Sequence, residues 1–255
     1  MRTFVATAAA TFLAVAVASA AIDRRDVDIK APDGIVLSGT YYWPVPDRLG
    51  PAVLLLHQCN RDRQAWNELA TDLANAGIKV LTVDFRGYGT SGGEQIPGVT
   101  VQAQQKRDAV MKEKGPGDVD AVYAYLASQK TVDKSRVAIG GAGCAVWPAA
   151  DAAMRHQEVK ALVALSGVAS DQAKTYISQT PGTAVFGASG ENETTGDTSK
   201  PIKDLVAASK HPQSTVKTYT GFQPGVLLFP RFPDLEPAIV EWFKAQLIPA
   251  AAPTK

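Results

Sequence analysis

The feature that most constrains this chain is a succession of short, almost uninterrupted apolar runs, each separated from the next by a stretch with helical spacing. "AVLLLH" (residues 52–57), "IKVLTVDF" (78–85), "RVAIGG" (136–141), "VKALVALSG" (159–167), "GTAVFGAS" (182–189) and "STVKTYT" (214–220) make up the series. Runs of this length without polar alternation read as strands covered on both faces. After the first run, "RQAWNELATDLANAG" carries apolar residues at helical spacing, with Gly77 as its stop. Further helices are expected over residues 118–128, 146–156, 171–177, 202–210 and 233–247. Strands alternating with helices predict a mostly parallel sheet with helices on both faces.

Ahead of this series, "VDIKAPDGIVLSGTYYW" (27–43) places partly alternating residues on either side of Asp33-Gly34, which predicts an antiparallel hairpin. The first 20 residues combine Arg2, an Ala- and Val-rich run and Ala18-Ser19-Ala20, the pattern of a secretory leader cut before Ala21. Export to a periplasmic or extracellular space is therefore expected. Residues 21–247 are long enough for a single domain with a proper core. A polar, weakly periodic insertion is expected at about 92–116, and a frayed tail at 248–255. Lys and Arg number 26 against 25 Asp and Glu, a net charge of +1, so the balance excludes nucleic acid and an anionic membrane surface as partners.

"RVAIGGAGCAVWPAA" (136–150) is a strand running through a glycine turn into a helix, where many hydrolases keep a nucleophile. It offers a glycine where a serine is expected and a cysteine immediately after. With "HQCNRDRQAW", "DFRGYGTSGG" and "PGDVDAVYAYL" in the same order, the chain resembles the α/β-hydrolases, and within them the dienelactone hydrolase branch, over nearly all of residues 21–247. The resemblance implies an α/β-hydrolase fold, a mostly parallel central sheet with an N-terminal antiparallel hairpin and helices on both faces.

It also implies where a triad would stand. In the pattern Gly-x-nucleophile-x-Gly the first glycine falls on Gly141, the nucleophile on Gly143 and the second small residue on Ala145. The general base follows the last strand; in "TYTGFQPGVLLFP", Tyr219 and Gly221 are in register and the histidine position falls on Pro224, beside Gln223. Neither residue can take a proton at neutral pH. The acid position offers Glu191 or Glu193, each expected to be an ordinary loop carboxylate with no histidine to orient. Of the three histidines, His57 ends a strand and is expected to bond nearby backbone, His156 closes a helix and His211 precedes the last strand.

By the same register the oxyanion hole would be formed by the backbone N–H groups of Cys59 and Cys144. Two donors aimed at one oxygen lie close together, so this resemblance, together with export, implies a Cys59–Cys144 disulfide. The alternative makes Cys144 the nucleophile of an active ester or lactone hydrolase. That reading shifts the turn by one, sets Ala142 and β-branched Val146 at the crowded positions and leaves the thiolate without a partner histidine.

No metal-ligand cluster and no cofactor motif is found: the glycines of "DFRGYG" lack the ending of a phosphate loop, and Asp62, between Arg61 and Arg63, is expected to pair at the surface. Asn192-Glu193-Thr194 matches a glycosylation acceptor. The expectation is an exported hydrolase-fold protein that has lost its triad and keeps a small-molecule role, with a carbonyl or carboxylate ligand, or a partner-binding role. No membrane association is expected after leader removal, and the oligomeric state is not readable from the sequence.

Overall fold

The computed structural model describes residues 21–193 and 197–248. The expected leader, all of the tail except Ile248, and Thr194 of the glycosylation triplet lie outside the described residues.

The hairpin opens the fold as β1 (Ala21–Lys30) and β2 (Val36–Val45), turning at Gly34 and longer at both ends than its sequence pattern indicates. The parallel series follows as β3 (Gly50–Leu56), β4 (Lys79–Val83), β5 (Val132–Ala142), β6 (Val159–Leu165), β7 (Ala184–Gly190) and β8 (Thr215–Tyr219). All eight form one sheet in the order β1-β2-β4-β3-β5-β6-β7-β8, antiparallel through β2 and β4 and parallel from β4 onward.

The uninterrupted apolar runs are explained by what covers each face. Along β3, Ala52, Leu54 and Leu56 point to one face, into the core layer shared with α2 (Val101–Ser128), α3 (Val146–Arg155), α4 (Asp171–Gln179) and α5 (Ser199–Ala208). Val53 and Leu55 point to the other, against α1 (Asn67–Asn75) and α6 (Leu235–Leu247). Side chains alternate with period two, so a strand between two helical layers needs apolar residues at every position.

The insertion is largely helical. The Thr100 side chain caps α2 by accepting from Ala103 N (3.2 Å), and the helix runs on through Pro116 into the expected 118–128 segment. Its polar first half hides the helical pattern because it packs one side against a loop and exposes the rest.

Where α6 meets α1, Glu236 lies near Glu68 and Asp72; burial first, and these two charges second, push its carboxyl from 4.5 up to about 7. The folded state therefore holds a proton that the unfolded chain has released between those values. The resulting stability is fully present below pH 4.5 and lost as pH rises through 7. Glu236→Gln is expected to stabilise the protein at pH 8 by about 1 kcal/mol, after allowing for solvent screening of this half-buried group. The gain should vanish at pH 4, as urea unfolding at the two pH values will show.

Candidate active site

The carboxyl ends of β3, β5, β6 and β7 and the loop after β8 converge on one region. At its centre β5 passes through a 3-10 turn, Gly143–Ala145, into α3. Gly143 has φ +56°, the left-handed conformation that favours glycine. Two residues earlier, a Cβ on Gly141 would stand 2.4 Å from the Ala145 carbonyl oxygen and 2.9 Å from the Ala149 Cβ. The strand and helix thus approach as closely as in a nucleophile elbow, without a nucleophile at its tip.

Cys144, next along the turn, is bonded to Cys59 in the loop after β3, with the Cα atoms 5.9 Å apart. Neither cysteine amide is taken up by an acceptor among the described residues. The two residues expected to supply an oxyanion hole are thus joined covalently, and no free thiol remains among the described residues.

Gln58 occupies the space in front of the turn. It is buried, and its Cβ lies 2.9 Å from where a side chain on Gly143 would begin. Its Oε1 accepts from Val226 N (3.0 Å), and its Nε2 donates to Asn60 Oδ1 (2.6 Å). A Cβ on Gly225 would stand 2.1 Å from the same Oε1. Gln58 is thus a strut between the nucleophile position and the loop that would carry the histidine. That loop holds Pro224 at the histidine position, followed by a 3-10 turn, Gly225–Leu228. Beside the strut lies a hollow of about 480 Å³, bounded by Asn60, Arg61, Asp62, Val226 and Leu227.

His57 is held away from chemistry. Phe85 N donates to its Nε2 (3.0 Å), so the proton sits on Nδ1, which donates to the Gln58 carbonyl (2.9 Å). Burial lowers its pKa, and the neutral ring fastens the end of β3 to the end of β4. His156 lies on Asp120 (2.9 Å) and stacks on Tyr123, and His211 is half-buried at the other end of the sheet.

At the acid position the expectation needs correction for one of the two candidates. Glu191 is an exposed loop residue whose carboxylate accepts from Thr220 Oγ1 (3.1 Å), as expected. Glu193 is buried: its Oε1 accepts from Ser166 Oγ (2.5 Å) and Gly190 N (2.7 Å), and its Oε2 from Thr198 Oγ1. Ser166, at the end of β6, is the one non-glycine residue with positive φ among the described residues, 52°. A carboxylate desolvated to this degree persists because each oxygen has donors. It ties β6 to the loop after β7 and has no imidazole to orient. Asp62 also differs from expectation: it caps the 3-10 turn after it by accepting from Gln64 N (2.9 Å), rather than pairing with its flanking arginines.

The "DFRGYGTSGG" turn is built on buried Asp84, which accepts from Arg63 N (2.7 Å), Thr90 N (2.9 Å) and the Arg63 guanidinium. Its Gly89 lines the hollow beside the strut. Sequence reasoning missed Gln58, Ser166 and Gly225. The pairing of glycines at the nucleophile position and just after the histidine position is the one trace of the Gln58 strut in the sequence.

The family model for the dienelactone hydrolase family matches residues 39–225, the span from β2 to the loop after β8. The chain belongs to the dienelactone hydrolase family. An uncharacterized protein of Mycobacterium tuberculosis is 33% identical over 118 residues, 46% of this chain and 36% of that protein, so the match spans about a third of the relative's length. Epoxide hydrolase B of the same organism is 44% identical over 46 residues, 18% of this chain and 13% of that enzyme. Among solved structures, the Pyrococcus furiosus esterase Pf2001 superposes with a TM-score of 0.66 at 19% identity, covering 89% of this chain and 94% of that one. A dienelactone hydrolase-like promiscuous phosphotriesterase from metagenomic libraries gives 0.68 at 15% identity, covering 89% and 99%. At such identities the structural likeness is one of fold, and family members with this fold differ at their sites.

Proposed function

We propose that this member of the dienelactone hydrolase family is an exported protein that does not hydrolyse esters through a triad and instead uses its hydrolase fold to bind a small carbonyl or carboxylate ligand. The observation that carries this reading is the Gln58 strut, which fills the volume of a nucleophile side chain and anchors on the loop where a histidine would stand. Gly143 and Pro224 supply neither group, and the one thiol at the turn is held in the disulfide. The unengaged amides of Cys59 and Cys144 are the donors available to a carbonyl or carboxylate oxygen. Export is supported by the leader pattern and the disulfide; no helix among the described residues is long and apolar enough to cross a membrane.

Cys144 favours a second reading because it sits at the start of α3, where a helix N-terminus lowers a thiol's pKa once the disulfide is reduced. Turnover of 4-nitrophenyl acetate and dihydrocoumarin separates the two. The oxidised protein is expected to give no acyl-enzyme burst and no more than the roughly 10³ to 10⁴-fold advantage over water that hole and binding remnants supply. Reduction is expected to leave that rate unchanged. A burst, or turnover that appears on reduction and is lost in Cys144→Ala, overturns the proposal in favour of the thiolate hydrolase.

A further inference from the structure

A second cavity, of about 260 Å³, lies between the turn after β4, the loop at 94–97 and the first half of α2, and shares no lining residue with the elbow, Gln58 or the loop after β8. Its apolar wall includes Phe85, Ile96, Val110 and Met111. The charged groups around it are not equivalent. Arg86 is matched by Asp118 (2.5 Å) and Asp33 (2.7 Å), and Glu94 by Lys106 (2.5 Å).

Arg107 is different. Its Nη1 donates to the carbonyl oxygens of Ile96 (2.8 Å) and Gly98 (2.9 Å), and its Nη2 to Gln104 Oε1 (3.2 Å). No carboxylate reaches ion-pairing distance of it among the described residues. A half-buried guanidinium held by three neutral acceptors keeps its full charge, and its planar fork suits a carboxylate. Tyr88, also in the wall, has a buried hydroxyl with no partner among the described residues, close enough to Arg107 and to Asp108, which itself accepts from Gln104 (2.7 Å), to feel both charges. An unmatched cation beside an apolar chamber defines a ligand with one negative end and an apolar body. Glu94 and Asp118 in the same wall oppose a second negative charge. The volume lies below the roughly 300–1,000 Å³ of drug-sized sites, so the ligand is small.

We propose that this cavity binds a small monocarboxylate with an aromatic or branched apolar body, its carboxylate on Arg107 and its body against Ile96, Val110 and Met111. The site is independent of the elbow and stands whether or not the protein hydrolyses esters.

Benzoate and its neutral isostere benzamide are the probes, titrated into the mature oxidised protein and followed by amide chemical shifts. Benzoate is expected to bind at least about tenfold more tightly than benzamide, with Arg107→Gln removing the preference. Met111→Trp fills the chamber and is expected to abolish the shifts that both probes induce at the Phe85, Ile96 and Val110 amides, while Gly182→Ala, outside the lining, leaves them unchanged. Val110→Phe replaces Met111→Trp if circular dichroism shows that variant unfolded. Failure of benzoate to shift these amides, equal shifts by the two probes in the unmodified protein, or shifts at these amides that survive the filled cavity would each overturn the proposal.

Discussion

Removing the Cys59–Cys144 bond is expected to lower stability by about 4 kcal/mol and the Tm by on the order of 10 °C. The two cysteines are 85 residues apart, and a cross-link closing so long a loop removes a large share of the unfolded chain's freedom, about 4.5 kcal/mol on the chain-entropy model. The bond joins the loop after β3 to the turn after β5, two strands already paired in register from Ala52 to Leu56, so the folded state gives up little to accommodate it. Urea unfolding of Cys59→Ser/Cys144→Ser beside the unmodified protein, each with and without reductant, measures the effect. Reductant should bring the unmodified protein down to the variant and leave the variant unmoved. Equal midpoints for the two oxidised proteins would show that the bond does not restrain the unfolded chain.

Gly141→Ala is expected to be nearly as damaging, by about 3 kcal/mol or more. The added Cβ meets the Ala145 carbonyl oxygen at 2.4 Å, the Ala145 carbonyl carbon at 2.8 Å and the Ala149 Cβ at 2.9 Å. Two of these are backbone atoms in a tight turn and the third is a methyl with no rotamer to change, so relief requires moving α3 away from β5. Gly182→Ala is the control. Nothing lies within 4 Å of its Cβ, and the expected change is within about 0.5 kcal/mol of zero. If the two variants unfold at the same denaturant concentration, the close approach of strand and helix carries no energetic weight.

These two results bear on one point. In this chain the turn after β5 carries a cross-link and a close-packed helix. Packing by itself requires a small residue at Gly141, whatever stands at Gly143. A conserved-looking turn is therefore evidence of fold, and the chemistry has to be read from what fills the space in front of it.

The strand series, the parallel sheet and the opening hairpin follow from the sequence because each rests on short-range pattern, while the cysteine pairing comes from the family resemblance together with export. An apolar run covered on both faces looks the same in any context, and a turn glycine marks its own place. The assignment of Gly143 and Pro224 to the nucleophile and histidine positions is likewise what the resemblance implies, counted from the neighbouring strands. The part of Gln58 is not legible, because its partner Val226 is 168 residues away and a buried amide strut has no periodicity. The buried carboxyl of Glu193 depends on Ser166, brought from 27 residues earlier, and the half of α2 that walls the Arg107 cavity is too polar to show as a helix alone. Local pattern decides which elements form and how they pair, whereas the occupation of space between their ends depends on side chains brought together across the whole chain, and only the tertiary structure decides that.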